Sequence, residues 1–259
     1  MGKLINRIGD VSYSKKGEKM TIVEYINNDD ITVEFEDVHK TKIKTRYYEF
    51  KLGNIKNPNR PIVYNKGYLG VGKYKSIAEN KKQTKCYDTW KGILRRGYCE
   101  RYKQKHPAYK DVTVCEEWHN FQNFAKWYEE NYYEVDGEKM CLDKDILVKG
   151  NKVYSPDTCV FVPQTLNNTF TKNEAIRGKL PIGCYMYNEK IKVQLSYYNF
   201  NTKKKQRKVL GYFEDKNDAF YTYKKYKEKY IKELANYYKN FIPKRLYESL
   251  LSYNVEIDD

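Results

Sequence analysis

The sequence has no long apolar run. Its mean hydropathy is −0.91, and no stretch approaches the roughly 20 apolar residues that a membrane-crossing helix requires. Membrane insertion is therefore not expected. The first ten residues, Met1 to Asp10, hold no apolar core of a secretion signal. A cytoplasmic, reducing setting follows as the expectation for the cysteines. Those cysteines are Cys86, Cys99, Cys115, Cys141, Cys159 and Cys184; no Cys-x-x-Cys pair occurs among them, and their gaps are irregular. A structural zinc site is not expected, and the thiols read as small buried hydrophobes. Histidine is scarce, at three residues. Negative charge is also in deficit: 34 Asp+Glu stand against 49 Lys+Arg, for a net +15.

What is present argues against disorder. Aromatic residues make up 16% of the 259 residues, with 28 Tyr and 10 Phe, whereas disordered chains are poor in aromatics. Tyrosine can build a core or stack on bases. The positive balance points to a polyanionic partner. It is unevenly spread. Residues 173–211 hold nine basic and two acidic residues, so +7 of the total lies in 39 residues.

The local patterns predict an α+β chain with several domains. Met20 to Tyr25 and Ile31 to Phe35 are β-branched and aromatic, and Asn27 to Asp30 forms a turn between them. Thr45 to Phe50 reads as a further strand. Asn57-Pro58-Asn59-Arg60-Pro61 marks a boundary. Helices are predicted over 87–101, with Trp90, Ile93, Leu94 and Tyr98 on one face, and over 116–131. Residues 141–163 read as a hairpin turning at Gly150-Asn151, followed by a helix carrying Gln164, Leu166 and Asn167. Three strands are predicted over 182–187, 190–198 and 207–213. A helix from about 217 to 239 follows, with Asp215 as its N-cap. The expected organisation is a small β domain over 1–60 with possible nucleic-acid contact, a central domain over 67–172 and a C-terminal domain over 173–259.

Residues 86–168 carry an ordered set of motifs. These are Tyr87-Asp88-Thr89-Trp90, Leu94-Arg95-Arg96-Gly97-Tyr98, Val114-Cys115-Glu116-Glu117-Trp118, Leu142-Asp143-Lys144-Asp145, and Tyr154-Ser155-Pro156-Asp157-Thr158-Cys159-Val160-Phe161 with Asn167. In order and spacing the set resembles an HNH-type nuclease branch common in bacteriophage genomes. The resemblance implies a hairpin and a helix around one divalent metal, Mg²⁺ or Mn²⁺. Asp143 and Asn167 stand at the metal-ligand positions. Asp143, Lys144, Asp145 and Asn167 are the candidate catalytic residues. Two positions depart from the pattern. Lys144 stands where typical members have the His base, and Thr158 replaces an Asn. Beside two aspartates Lys144 should keep its charge, which suits a phosphate clamp better than a base. His119, in an apolar helix, reads chiefly as a satisfied, partly buried histidine.

Residues 177–239 resemble the APETALA/ERF-type DNA-binding domain. The matching segments are Leu180-Pro181-Ile182-Gly183, Lys190 to Leu195, Leu210-Gly211-Tyr212-Phe213 and Asp218-Ala219-Phe220. The resemblance implies a three-stranded sheet laid on duplex DNA with a helix behind it. Strand alternation then turns Ile191, Val193 and Leu195 toward the helix. It turns Lys190, Lys192, Gln194 and Ser196 outward, joined by Tyr185, Tyr187, Lys205 and Arg207. The lysines would meet phosphates, and Gln194 and Arg207 base edges. The family's first-strand arginines are here Tyr185 and Tyr187. In the N-terminal domain Lys42, Lys44, Arg46 and Lys51 are weaker phosphate candidates, with a solvated strand face as the alternative.

The resulting expectation is a phage-type, DNA-binding HNH-like endonuclease, active on double-stranded DNA in the cytoplasm, with a monomer slightly favoured; members of the family it resembles often act as homing nucleases. The alternative is a catalytically inactive DNA-binding protein, such as a regulator or a phage factor acting against a host system. A third reading is a structure-selective RNA binder.

Overall fold

The computed structural model describes residues 6–170 and 180–257. It is mixed α and β with several small sheets, in line with the α+β expectation. The chain divides into two compact units, Met1–Tyr128 and Glu129–Asp259. The segment expected to form a nuclease domain contributes to both. The expected boundary at 172/173, and residue 177 where the second resemblance starts, lie outside the described residues.

The first unit opens with a four-stranded antiparallel meander in sequence order: β1 (Val11–Tyr13), β2 (Lys19–Asn27), β3 (Asp30–Phe35) and β4 (Lys42–Thr45). Period-two alternation buries Met20, Ile22, Ile31, Val33 and Phe35 in one small core, completed by Phe50 and Ile55. Thr45 to Phe50 is not one strand, as the sequence suggested. Pairing ends at Thr45, and α1 (Tyr47–Leu52) follows. The reason is that Tyr47 and Phe50, three apart, both pack on the core, a spacing that a helix meets and a strand does not. Gly53 ends the helix at φ 64°. The Asn57–Arg60 stretch is bound to this domain. Asn57 Nδ2 donates to Asp37 Oδ2 at 2.7 Å and to Glu18 Oε1 at 3.2 Å, and Asn59 Nδ2 donates to Thr41 Oγ1 at 2.8 Å.

After an irregular stretch, helices dominate this unit from Lys85 onward. Helix α2 (Lys85–Tyr98) is capped by Thr84 and buries Trp90, Ile93 and Leu94 as the spacing predicts. The predicted single helix breaks at Cys99, whose ψ of 102° is extended, and resumes as α3 (Glu100–Lys105). A 3₁₀ turn over Pro107–Tyr109 and strand β5 (Thr113–Val114) follow. The helix predicted over 116–131 is split as well. Glu116–His119 is a 3₁₀ turn, and α4 (Phe121–Asn131) starts after the extended Asn120.

In the second unit β6 (Met140–Asp143) pairs antiparallel with β8 (Val160–Pro163), Asp143 opposite Val160. The short β7 (Val153–Tyr154) lies in the long connection, and α5 (Gln164–Asn167) follows β8. The hairpin is thus wider than a turn at Gly150-Asn151 implied. A second sheet has the order β11-β10-β9, from β9 (Cys184–Tyr187), β10 (Lys190–Asn199) and β11 (Lys204–Phe213). Helix α6 (Lys216–Tyr238) packs behind it, and α7 (Lys244–Leu251) follows. Asp215 caps α6 by accepting the Asn217 and Asp218 N–H groups at 2.7 and 3.0 Å, as predicted. One core unites these parts: Val160, Val162 and Leu166 are buried with Ile191, Val193, Leu195, Ile231, Leu234 and Leu246. Each such side chain contributes roughly 1.5–3 kcal/mol of burial. The hairpin, α5 and the second sheet therefore fold as one body.

Candidate functional site

The β9–β11 sheet has two unlike faces. Ile191, Val193 and Leu195 are buried against α6. The opposite face follows from the register. A tight link at Asn188-Glu189, both at positive φ (44° and 65°), sets Tyr187 opposite Lys190 and Tyr185 opposite Lys192. On the other side Ser196 faces Arg207, and Tyr198 faces Lys205. Directly paired residues point the same way. All seven residues singled out from the sequence, Tyr185, Tyr187, Lys190, Lys192, Gln194, Lys205 and Arg207, thus share the outer face.

Sequence reasoning missed Tyr198, Val209 and Tyr212, and the most informative of them is Tyr212. Strict alternation from Arg207 would turn it inward. However, Val193 pairs with Gly211 and Gln194 with Val209, so Leu210 is an extra, bulged residue that reverses the parity. Tyr212 therefore lies opposite Lys192, half exposed, with its ring 5.8 Å from that of Tyr187. The Lys192 ammonium stands 5.5 Å from the Tyr187 ring centroid. The Gly211-Tyr212 pair after an alternating run was the available signal.

This face is positively charged and only partly compensated. Lys190 reaches Glu214 at 3.5 Å. Among the described residues, no carboxylate pairs with Lys192, Lys205 or Arg207. A groove of about 820 Å³ runs along Tyr185, Lys192, Gln194, Ser196 and Arg207 and reaches Thr165 and Asn168, two residues before Asn167 and one after it. The N-terminal sheet differs. Of its four candidates Lys42, Lys44 and Arg46 lie 3.8, 3.0 and 3.8 Å from Glu34, Asp30 and Asp29, whereas Lys51, on α1, has no carboxylate partner among the described residues.

At the hairpin, Asp143 Oδ1 accepts the N–H groups of Asp145 and Ile146 at 2.9 and 2.8 Å. Burial, and then the neighbouring charge of Asp145, push the Asp143 carboxyl up to about 6, against the pull of those two hydrogen bonds and of Lys144. Lys144 is buried rather than presented to a phosphate. Its Nζ donates to the Asn151 carbonyl at 2.9 Å and lies 3.2 Å from Asp145 Oδ2. Asn151 Nδ2 returns a bond to the Lys144 carbonyl at 2.7 Å, closing the loop. The structure therefore brings Asp143, Lys144 and Asp145 together. Asn167 arrives differently, on α5, which starts at the end of the ladder opposite Asp143 and packs on both strands. Glu138 anchors that helix start, accepting Thr165 N–H at 3.3 Å and the Tyr238 hydroxyl at 2.7 Å; no sequence pattern marked it. Thr158 Oγ1 is engaged with Ser155 Oγ and the Val153 carbonyl at 2.8 and 2.9 Å.

An oxygen donor set of Asp143 and Asn167 suits a hard divalent cation with waters completing its shell. The charge of Asp145 beside Asp143 is met in part by Lys144, 3.2 Å from Asp145 Oδ2. Among the described residues no group of three or more His, Cys, Asp or Glu is placed to hold a metal; the expected pair needs only one carboxylate and one amide. Elsewhere, His119 Nε2 lies 2.8 Å from the Tyr98 hydroxyl, and burial followed by the charge of Lys66 lowers its pKa. It is a satisfied, half-buried histidine. Among the described residues, no helix is long and apolar enough to cross a membrane. No protein-family model, curated protein or solved structure matches this chain.

Proposed function

We propose that this chain is a DNA-binding, HNH-like endonuclease of the phage type, working as a cytoplasmic monomer on duplex DNA. The observation that carries the reading is the outer face of β9–β11, where Tyr, Lys, Gln and Arg side chains share one surface and Lys192, Lys205 and Arg207 have no carboxylate partner among the described residues. Lysines there would meet phosphates and set the register of the duplex, while Gln194 and Arg207 reach base edges. The groove from this face to Thr165 and Asn168 supports a substrate strand that passes from the sheet toward α5. A divalent ion would be held by Asp143 and Asn167, and would stabilise charge on the leaving oxygen of the phosphodiester. Asp145 draws Lys144 away from the substrate and holds it as an ion pair.

A second reading has one specific observation behind it. The position that carries the base in typical HNH enzymes is filled by a buried lysine tied to Asn151 and Asp145. That favours a protein that binds DNA without cutting it. Supercoiled plasmid with Mg²⁺ or Mn²⁺ separates the two. Nicking by the wild type, lost in Asp143→Ala with DNA affinity kept, supports the endonuclease. Nicking that survives the substitution overturns it. DNA binding with no nicking under either metal selects the second reading.

A further inference from the structure

The charge of the first unit is concentrated as sharply as that of the second, in a stretch of which only Leu94 to Tyr98 belongs to a motif. Residues 91–110 contain seven Lys+Arg and one acidic residue, Glu100. They form the end of α2, all of α3 and the 3₁₀ turn after it. The break at Cys99 folds these pieces against each other, and a layer of rings fills the bend. Tyr102 lies 4.4 Å from His106 and 5.8 Å from Tyr109, centroid to centroid. The Arg95 guanidinium stacks 4.7 Å from the Tyr102 centroid. Arg101 and Lys105, four apart on α3, share one exposed helix face. Lys103 is different: it is tied to the carbonyls of Lys110 and Val112 at 3.1 and 3.2 Å. Among the described residues no carboxylate pairs with Arg95, Arg101, Lys105 or Lys110, and all four are exposed.

A solvated helix face commonly interleaves both signs, as α6 does with Lys224–Glu228 and Lys229–Glu233. The 91–110 surface does not. Stacking on Tyr102 also fixes Arg95 in place, so less freedom is lost when its planar donors meet an anion. We infer that this surface, Arg95, Arg101, Lys105 and Lys110 over the Tyr102 layer, is a second contact for the phosphate backbone of duplex DNA. The inference rests on the DNA reading above and adds a site outside the sheet. Contacts to phosphates of this kind raise affinity and salt dependence without sequence preference.

The test is the full-length protein carrying Arg95→Gln, Arg101→Gln and Lys105→Gln. Binding to a 30-base-pair duplex is followed by fluorescence anisotropy across a salt series, beside wild type and the sheet variant Lys192→Glu/Arg207→Glu. All three changed residues are exposed, and the thermal transition checks folding. The expected result is a loss of affinity of about tenfold or more near 0.15 M salt. The slope of log K against log salt should fall by about two to three, since each phosphate contact accounts for about 0.9. Affinity and slope equal to wild type, with the sheet variant weakened, overturn this inference and leave the DNA reading standing. No duplex binding by the wild type removes both. A parallel arm with vesicles containing anionic lipid decides the source of the anion: binding to vesicles that depends on these residues, with duplex binding unaffected, also overturns the inference.

Discussion

The two principal sheets of this protein use the same residue types to opposite ends. Both are antiparallel, both bury one aliphatic face, and both carry basic residues on or beside their strands. In the N-terminal sheet each of Lys19, Lys42, Lys44 and Arg46 has a carboxylate within 4 Å: Glu36, Glu34, Asp30 and Asp29. In the C-terminal sheet Lys190 has one and Lys192, Lys205 and Arg207 have none among the described residues. Exposed ion pairs of this kind are worth about 0–1 kcal/mol. Their effect on function is larger than on stability, because a neutralised surface has little attraction for a polyanion. Basic composition alone therefore does not locate a DNA surface; the pairing of each charge does.

The comparison breaks most sharply at Gly183. This residue, at φ 76°, lets the chain enter β9 directly over the buried Tyr223 ring, which a Cβ would strike. Gly183→Ala combines left-handed strain with overpacking, so a loss of about 3 kcal/mol is expected. Chemical denaturation should show it, and DNA binding should weaken in step because β9 carries Tyr185 and Tyr187. A variant as stable as wild type would mean that β9 does not depend on this passage. Next in size is Lys192→Glu with Arg207→Glu. Both lie on the uncompensated face, and two reversed contacts should cost about 100-fold in affinity, or about 2.7 kcal/mol. Unchanged thermal stability would separate this from unfolding. Affinity within threefold of wild type would remove the sheet from the DNA surface.

Much of the second unit was legible beforehand because its signals are local. The Ile191, Val193, Leu195 alternation, the Asp215 cap and the α6 stripe each act within a few residues. What was hidden depended on register or on distant partners. Tyr47 and Phe50 look like strand residues until the core that receives them is known. The bulge at Leu210 reverses the side of Tyr212 through pairing with β10. The burial of Lys144 is set by Asn151 across a loop. Charge density over 91–110 was readable from the letters alone, but a whole-domain count diluted it.

A smaller effect distinguishes the N-terminal sheet by pH. Burial alone would raise the Asp37 carboxyl. Hydrogen bonds from the Thr41 and Asn57 side chains and from backbone N–H groups outweigh it and hold the pKa below its ordinary 3.8. A carboxyl lowered on folding contributes stability that is present above 3.8 and is lost as pH falls through the folded value. Acid titration of stability should therefore show a loss beginning near pH 4, reduced in Asp37→Asn. An identical acid limb in that variant would assign the loss to other groups.

The smallest expected effect is the most discriminating one. Lys42 stands directly opposite Glu34 in the β3–β4 register, 3.8 Å away and more than half exposed. Lys42→Glu would set two like charges face to face, which costs about 0.2–1 kcal/mol. By charge count alone this variant changes the protein as much as any single reversal on the C-terminal sheet does. If net charge governed DNA binding, each reversal would weaken binding equally, wherever it was made. If pairing governs it, Lys42→Glu should leave affinity within about twofold of wild type, because the lysine's charge is already met by Glu34. The modest long-range effect that remains should vanish near 0.15 M salt, where the Debye length is about 8 Å. An anisotropy titration at that salt decides the matter. A tenfold loss from Lys42→Glu would place the N-terminal sheet on the DNA and remove the distinction between the two sheets.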